Sequence, residues 1–508
     1  MGAIKGLMKD TAVYGLSSII GRFLNWCLVP LYTYLFPAAE YGIVSFLYSF
    51  TAVALVILNY GMETGFFRYA NRDGNNPETV YTTSLISVGT TSLLFMVLIT
   101  VFLSPVSDLL QLPAHPEYVW LMGITVAIDA FTNLPFVYLR FKKKPFRFAL
   151  IKLLNVFLNI SLNLFFLLAC PWLMEHAPAT VSWFYVPMGG AGFGIGWIFF
   201  ANLLSTIIVL CALTPQLTHR RYRFNGPLLR RMLSYSWPLL VLGIAGILSQ
   251  NMGQMLMPYL FPGQRESADA MVGIYAANMK IAIVMVMFTQ AFRYAYEPFI
   301  FAEAKEHDLG RRRTYADATK YFVLFGLVIF LGVMYYLPVL RHFIAPAYWE
   351  GLAVVPIMMA AELCAGVFFN LSLWYKLTDR TRWGMYLSLI CFAVMFTLNV
   401  TLVRAIGIPD GYIGAAWAAL GGYFTVMVIS YLLGRKYYPI PYPLRRLGAY
   451  LLLAAVFYIV GVHIVDTPRE SLTLLLRSLL LITFILVILR HENLPLPRLK
   501  KIGSKAVK

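Results

Sequence analysis

The residues able to do chemistry in this chain are few, and most sit where charge is expensive. Arg22 lies eleven residues into an apolar run that begins at Thr11, and Lys280 lies twelve residues into one that begins at Ala268. At the rise of a helix those depths are about 16 and 18 Å, near the middle of a bilayer. A charge there costs about 2.5–3.5 kcal/mol on insertion scales, which makes each a functional candidate. Together they could hold an anion; the bland alternative is that each neutralises a buried carboxylate or reaches to the headgroups. Arg68 and Arg293 stand nearer the ends of their runs, where they could receive an anion or simply fix topology. Asn25, Gln250, Asn251, Gln254 and Asn278 add neutral donors and acceptors, suited equally to a polar ligand and to bonds between helices. Glu63, Asp129, Glu297 and Glu362 are the carboxylates that could couple an ion or gate. Glu297 follows Arg293 by four residues, the spacing of a helical ion pair. Lys152, Asn155, Asn159 and Asn163 share one helical face and, with Asp129, predict a polar seam between the fourth and fifth apolar runs.

Other chemistries lack their residues. The seven histidines show no HExxH spacing, and neither a GxSxG elbow nor a Walker loop occurs. Five cysteines lie in or beside apolar runs without a CxxC pair, as small packing residues do. The glycine-rich stretch 190–196 follows no strand, so it reads as a helix-packing face through Gly192 and Gly196 rather than as a nucleotide loop. No metal site, no cofactor and no enzyme activity is expected.

The elements that must position these residues are membrane helices. Of 508 residues 60% are hydrophobic and 13% charged, a composition that leaves a soluble protein unable to cover its surface. Runs long enough to span occur at 11–36, 40–61, 80–104, 117–140, 147–170, 191–213, 233–260, 268–298, 318–338, 348–375, 383–404, 412–433, 447–464 and 471–489. An all-α polytopic membrane protein of about fourteen transmembrane helices follows. The first run is too long for a signal peptide core. With the N-terminus placed in the cytoplasm, 32 of the 41 lysines and arginines fall in cytoplasmic segments, and only Arg265, Arg341, Arg404 and Arg469 in the opposite loops. That asymmetry predicts both termini in the cytoplasm. It also explains the net charge of +18 without nucleic acid, for which no binding signature is present. The loops are too short to hold a soluble domain.

A repeat organises the spans. Tyr34-Leu35-Phe36-Pro37 recurs as Tyr259-Leu260-Phe261-Pro262, and Phe67-Arg68-Tyr69-Ala70 as Phe292-Arg293-Tyr294-Ala295, both 225 residues on. Tyr41-Gly42-Ile43-Val44 matches Val272-Gly273-Ile274-Tyr275 only after a shift of six. The expected organisation is a six-helix lobe at 1–213, a second at 214–434 in the same orientation, and a linker, two further helices and a tail at 435–508. Two such pseudo-symmetric bundles suit alternating access around a central cavity.

The block DTAVYGLSSIIGRFLNWCLVPLYTYLFPAAEYGIVSF at residues 10–46, followed by NYGMETGFFRYA at 59–70, resembles the start of bacterial polysaccharide-biosynthesis flippases. These Wzx-type proteins belong to the multidrug/oligosaccharidyl-lipid/polysaccharide exporter superfamily. YGLSSIIGR, LFPAAEYG and GMETGFFR are the most specific segments; beyond residue 320 the likeness rests on topology. The resemblance implies transport of an oligosaccharide on polyprenyl diphosphate, from the inner to the outer leaflet of the bacterial cytoplasmic membrane, for surface polysaccharide or lipopolysaccharide assembly. Arg22, Lys280, Arg68 and Arg293 would then meet the diphosphate, and the amides the sugar. Its implied partners are the polyprenyl-diphosphate-linked glycan and membrane lipids, with a glycan polymerase and glycosyltransferases as candidates. The competing readings are an ion-coupled multidrug exporter of the same superfamily, and a membrane glycosyltransferase or polymerase. The two buried cations argue against the first, and the short loops opposite the termini against the second.

Overall fold

The computed structural model describes residues 20–21, 23–218, 222–303, 309–378, 380, 382–465 and 468–492, without the side chains of 294–295, 297–303 and 309–311. Every element among them is helical. Twelve helices are long and apolar enough to cross a membrane. They are α2 (Ala38–Ala70), α3 (Pro77–Val101), α4 (Pro116–Phe141), α5 (Pro145–His176), α7 (Gly226–Leu260), α8 (Arg265–Arg293), α9 (Arg312–Tyr335), α10 (Pro346–Leu377), α11 (Arg382–Ile406), α12 (Gly411–Tyr437), α13 (Leu444–Ile464) and α14 (Glu470–His491). The shorter α6 (Gly196–Ala212) matches the sixth expected segment, and α1 (Leu28–Leu35) ends the first, of which residues 11–19 and 22 lie outside the described residues.

Local chemistry sets the helix starts. Proline opens α3, α4 and α5, where its missing N–H costs nothing. Asn76 and Asn225 accept from the Glu78 and Leu228 amides at 2.9 Å, capping α3 and α7. The second span runs past its expected end at 61, because α2 continues to Ala70 after a break at Tyr60 and Gly61. Both residues are left-handed, with φ of 30° and 70°. The break falls where Ser236 of α7 crosses and bonds the Gly61 carbonyl at 3.2 Å.

Helix neighbours repeat between the halves. In the first half α4 packs on α2, α3 and α6, and α5 on α6; in the second α10 packs on α8, α9 and α12, and α11 on α12. A π turn interrupts α5 at Phe165–Ala169 and α11, its counterpart, at Asn399–Val403. Both Tyr-Leu-Phe-Pro motifs end a helix, α1 at Leu35 and α7 at Leu260. The halves meet through α2 against α8, with α7 lying along α2 and α1 touching α8. One end of the bundle carries most of the loop lysines and arginines and is called here the basic end; Ala38, Arg265 and Pro346 start helices at the opposite end.

Two expectations are corrected. The stretch 190–196 is not a helix-packing face. Gly190–Phe193 is a 3₁₀ turn, Gly189, Gly190 and Gly194 have positive φ, and no atom lies within 4 Å of a Cβ placed on Gly192. Gly189, Gly190 and Gly194 serve the backbone turn, and Gly196 makes room for the Phe193 ring of that turn, 2.6 Å from where its Cβ would stand, rather than for another helix. The polar seam is also distributed differently. Lys152 of α5 lies over the Phe136 ring of α4 at 4.1 Å and Asn163 donates to Asn159 within α5 at 2.8 Å, but further hydrogen bonds reach other helices. Thr206 of α6 donates to Asp129 at 3.3 Å, and Tyr32 of α1 to Asn163 at 3.0 Å.

The last two helices pack on α9, and a polar clamp at the basic end pins them. Lys320 of α9 donates to Glu492, just past α14, at 2.6 Å, with both side chains almost fully buried. Tyr450 of α13 donates to the other Glu492 oxygen at 2.5 Å, leaving its own oxygen to accept from His491 at 2.8 Å. Burial alone would raise the Glu492 pKa, but the bonds from Lys320 and Tyr450 outweigh it and hold the carboxyl below its ordinary value. A depressed carboxyl stabilises the fold above its unfolded pKa, and that contribution is lost as pH falls through the folded value. Glu492→Gln should therefore destabilise the purified protein by about 3 kcal/mol at pH 7. The difference in melting temperature from wild type should close below about pH 4. An equal difference at pH 7 and pH 3.5 would contradict the clamp.

Candidate functional site

A cavity of about 520 Å³ lies between the two halves. Its walls come from α2 and the residues around α1 on one side, from α7, α8 and α10 on the other, and from single residues of α5 and α6. Six amides line it: Asn25, Asn159, Asn202, Gln250, Asn251 and Gln254. Tyr32, Tyr41, Tyr48, Ser45 and Ser49 add hydroxyls, and Lys280 and Glu362 are the charged groups among the described lining residues. Several amides are already oriented. Ser49 donates to Gln254 at 2.7 Å, Asn202 to Tyr48 at 3.3 Å, and Asn251 to the Ile247 carbonyl at 2.9 Å. Each keeps capacity for a ligand, since a side-chain amide offers two donors and an acceptor. No ion pair joins Lys280 to a described residue. Its backbone carbonyl accepts from Trp26 at 2.8 Å, and that indole stacks on Phe343 with ring centres 3.8 Å apart. The helix carrying the lysine is thus tied to the first half beside the cavity.

The structure therefore brings together Asn25, Gln250, Asn251, Gln254, Lys280 and Glu362 of the sequence candidates. Others lie elsewhere. Asn278 is fully buried behind the wall and donates to the Ile274 and Tyr348 carbonyls. Asp129 sits among α4, α5 and α6. Glu63 pairs with Arg140 rather than with Arg68. Arg68 lies over the Tyr235 ring at 4.0 Å and Arg293 over Phe369 at 4.6 Å, both toward the basic end. Arg22 and the side chain of Glu297 lie outside the described residues. The candidates omitted Tyr41, Ser45 and Tyr48, yet their spacing of four and three on an otherwise apolar helix marks one polar face. Asn202 carries no such signal, being a lone amide in α6.

At the opposite end the halves close over the cavity by a backbone contact. A Cβ on Gly42 would overlap the Asp269 carbonyl oxygen, and one on Gly273 would overlap the Ala38 carbonyl oxygen. Each glycine meets the residue four positions before its counterpart, so the contact is reciprocal about a pseudo-twofold axis. The repeat tyrosines bracket it. Tyr34 donates across to the His342 carbonyl at 3.2 Å, and Tyr259 to the Leu109 carbonyl at 3.0 Å. These acceptors follow α9 and α3, which are themselves counterparts. Arg265 adds bonds to the Leu110 carbonyl and the Gln111 side chain, at 3.0 and 3.1 Å, while Asp269 holds its Nε at 2.7 Å. An opening at this crossing would require α2 and α8 to part.

A family model for polysaccharide biosynthesis proteins matches residues 7–302. The chain matches none of the curated proteins. Among solved structures it is similar to the lipid II flippase MurJ in an inward closed conformation, at TM-score 0.72 and 12% identity, over 96% of this chain and 100% of that one. It is also similar to an inward-facing multidrug resistance MATE family transporter of the MOP superfamily, at TM-score 0.61 and 15% identity, over 86% and 95%. A MATE structure in the straight conformation follows at 0.58 and 15%, over 88% and 96%. At such identities the likeness is one of fold.

The closed contact makes a prediction. Gly42→Val should force α2 and α8 apart at this end while each half stays folded. In a background without other cysteines, Ser45→Cys in the cavity wall should then be labelled by an impermeant maleimide from that side. Without the valine it should remain unlabelled. A stable Gly42→Val protein that keeps Ser45→Cys shielded would show that the crossing is not the seal.

Proposed function

The chain belongs to the polysaccharide biosynthesis protein family, and we propose that it is a flippase moving polyprenyl-diphosphate-linked oligosaccharides across the bacterial cytoplasmic membrane by alternating access. The observation that carries this reading is the cavity, rich in amides and hydroxyls, with one lysine held at its wall. Sugar hydroxyls need neutral donors and acceptors, and a diphosphate needs a cation in a low-dielectric site. Arg22 enters the reading on its depth in the sequence alone. The Gly42–Gly273 contact would be the gate toward the outer leaflet, and the glycan's assembly for surface polysaccharide would follow outside. Glu362 in the wall is the nearer candidate for an ion-coupling acid, with Asp129 as the second. Nothing in this mechanism makes or breaks a covalent bond.

An ion-coupled drug exporter is the second reading, favoured by Glu362, a carboxylate able to attract an organic cation. Efflux of a fluorescent cation from cells expressing the chain, with no rescue of glycan export, would choose it.

The orientation follows from the loop charges, which put the basic end and both termini in the cytoplasm. A reporter active only in the periplasm should be silent when fused at Lys508 and active when inserted in the 105–116 loop; the reverse pattern would overturn the orientation.

Substrate engagement rests on Lys280. Lys280→Ala should lower glycan export by more than tenfold at unchanged membrane abundance, since losing a desolvated cation–phosphate contact costs on the order of 2–5 kcal/mol. Lys280→Arg should keep part of the activity. Normal export by a stable Arg22→Ala, Lys280→Ala double mutant would remove this mechanism.

A further inference from the structure

A second cavity, of about 440 Å³, opens between the end of α9 and the start of α14, away from the one between the halves. It lies at the end of the bundle where loop cations are scarce, yet two arginines converge on it. Arg341 comes from the turn after α9, and Arg477 from two turns inside α14. Arg477 is 6% exposed. Its Nε donates to the Gly461 carbonyl at 2.7 Å and one Nη to the Val465 carbonyl at 3.4 Å, which secures the last turn of α13. The guanidinium still has N–H groups to spare and lines the cavity. Arg341 lies on the Trp349 ring at 4.4 Å, and its buried Nε has no partner. The carboxylate at the rim, Glu470, stands 3.8 Å from Arg341 with its side chain 82% exposed, so it compensates little. His342 and Thr473 complete the polar wall.

We propose that this cavity binds the phosphodiester headgroup of an anionic glycerophospholipid from the leaflet at that end. Among the described residues two guanidinium groups stand against one carboxylate, a single net positive charge, which suits one phosphodiester. A lipid diphosphate carries more charge than this set neutralises. Val339, in the turn after α9, and Leu475 and Leu479 of α14 are exposed and give acyl chains an apolar surface, which free phosphate would not use. Guanidinium groups pair with phosphate oxygens through charge-assisted hydrogen bonds, and basic pockets between membrane helices hold anionic headgroups in this way on the cytoplasmic side. The site also touches the seal between the halves, because the His342 carbonyl is the acceptor for Tyr34. A lipid here would brace α14 against the turn on which that bond depends.

Native mass spectrometry of the purified full-length protein tests the site, with phosphatidylglycerol, phosphatidylcholine, a polyprenyl diphosphate and inorganic phosphate as probes. Phosphatidylglycerol should be retained about fivefold better than phosphatidylcholine, the preference one arginine provides near a membrane surface. Arg341→Gln should bring the two lipids to parity, and Arg341→Lys should keep most of the preference. Glu470→Gln, at an exposed position, should raise phosphatidylglycerol retention and leave phosphatidylcholine unchanged; a purely structural role for these residues would not produce that gain. Equal retention of the two lipids by the wild type would overturn the proposal. So would tighter retention of the polyprenyl diphosphate, or displacement of phosphatidylglycerol by inorganic phosphate alone.

Discussion

The rest of the structure hangs on one contact between two backbones. Gly42 and Gly273 let α2 and α8 cross so closely that neither could carry a side chain at the crossing. Close approach of this kind needs glycine, and in a membrane it replaces the hydrophobic force that lipid cannot supply between helices. Because each glycine faces the other's helix in the same way, the crossing lies on the pseudo-twofold axis. The two halves then cannot be adjacent at that end without being related by it. Gly42 lies about 6 Å along α2 from its start, so the crossing seals one end and leaves the room for a cavity deeper in.

The repeat tyrosines show how a duplicated sequence becomes an interface. Tyr34 and Tyr259 belong to the same four-residue motif, and each bonds a carbonyl on the other half after corresponding helices. A single hydrogen bond of this kind contributes about 1 kcal/mol. Two of them, with the Arg265 bonds beside them, add direction to a contact whose bulk is apolar: Val44 and Phe46 of one half are buried in one cluster with Met271 and Val272 of the other.

The charges divide into those that have been satisfied and those that have not. Glu63 pairs with Arg140, Glu78 with Lys142 at 3.1 Å, and Lys320 with Glu492. Arg68, Arg293, Lys152 and Arg341 rest on aromatic faces, which offset part of the cost of holding a cation away from water. Lys280 has neither an ion pair nor a ring among the described residues, and it is the one that lines the central cavity. Under the function proposed above, a substrate phosphate would balance it.

Much of this was legible in the residues. Twelve spans and the shorter α6 were, because a helix that crosses lipid must hide its backbone and can do so only with a long apolar run. The repeat was, through two motifs at one spacing, and so was most of the cavity on the second half, through polar residues too costly to bury without purpose. What the sequence could not decide was partnership. Asn278 and Gln254 look alike as amides in apolar helices, but one satisfies carbonyls behind the wall and the other faces the cavity. Glu63 sits five residues from Arg68 and pairs instead with Arg140, 77 residues away. The shift of six that separates Gly42 from its counterpart reads in the sequence as a flaw in the repeat, and only the crossing of the two helices reveals it as the true register. Burial and depth are properties of a single helix and its pattern of side chains. Which side chain meets which depends on how helices rotate against one another, and that is set by packing among segments far apart in the chain.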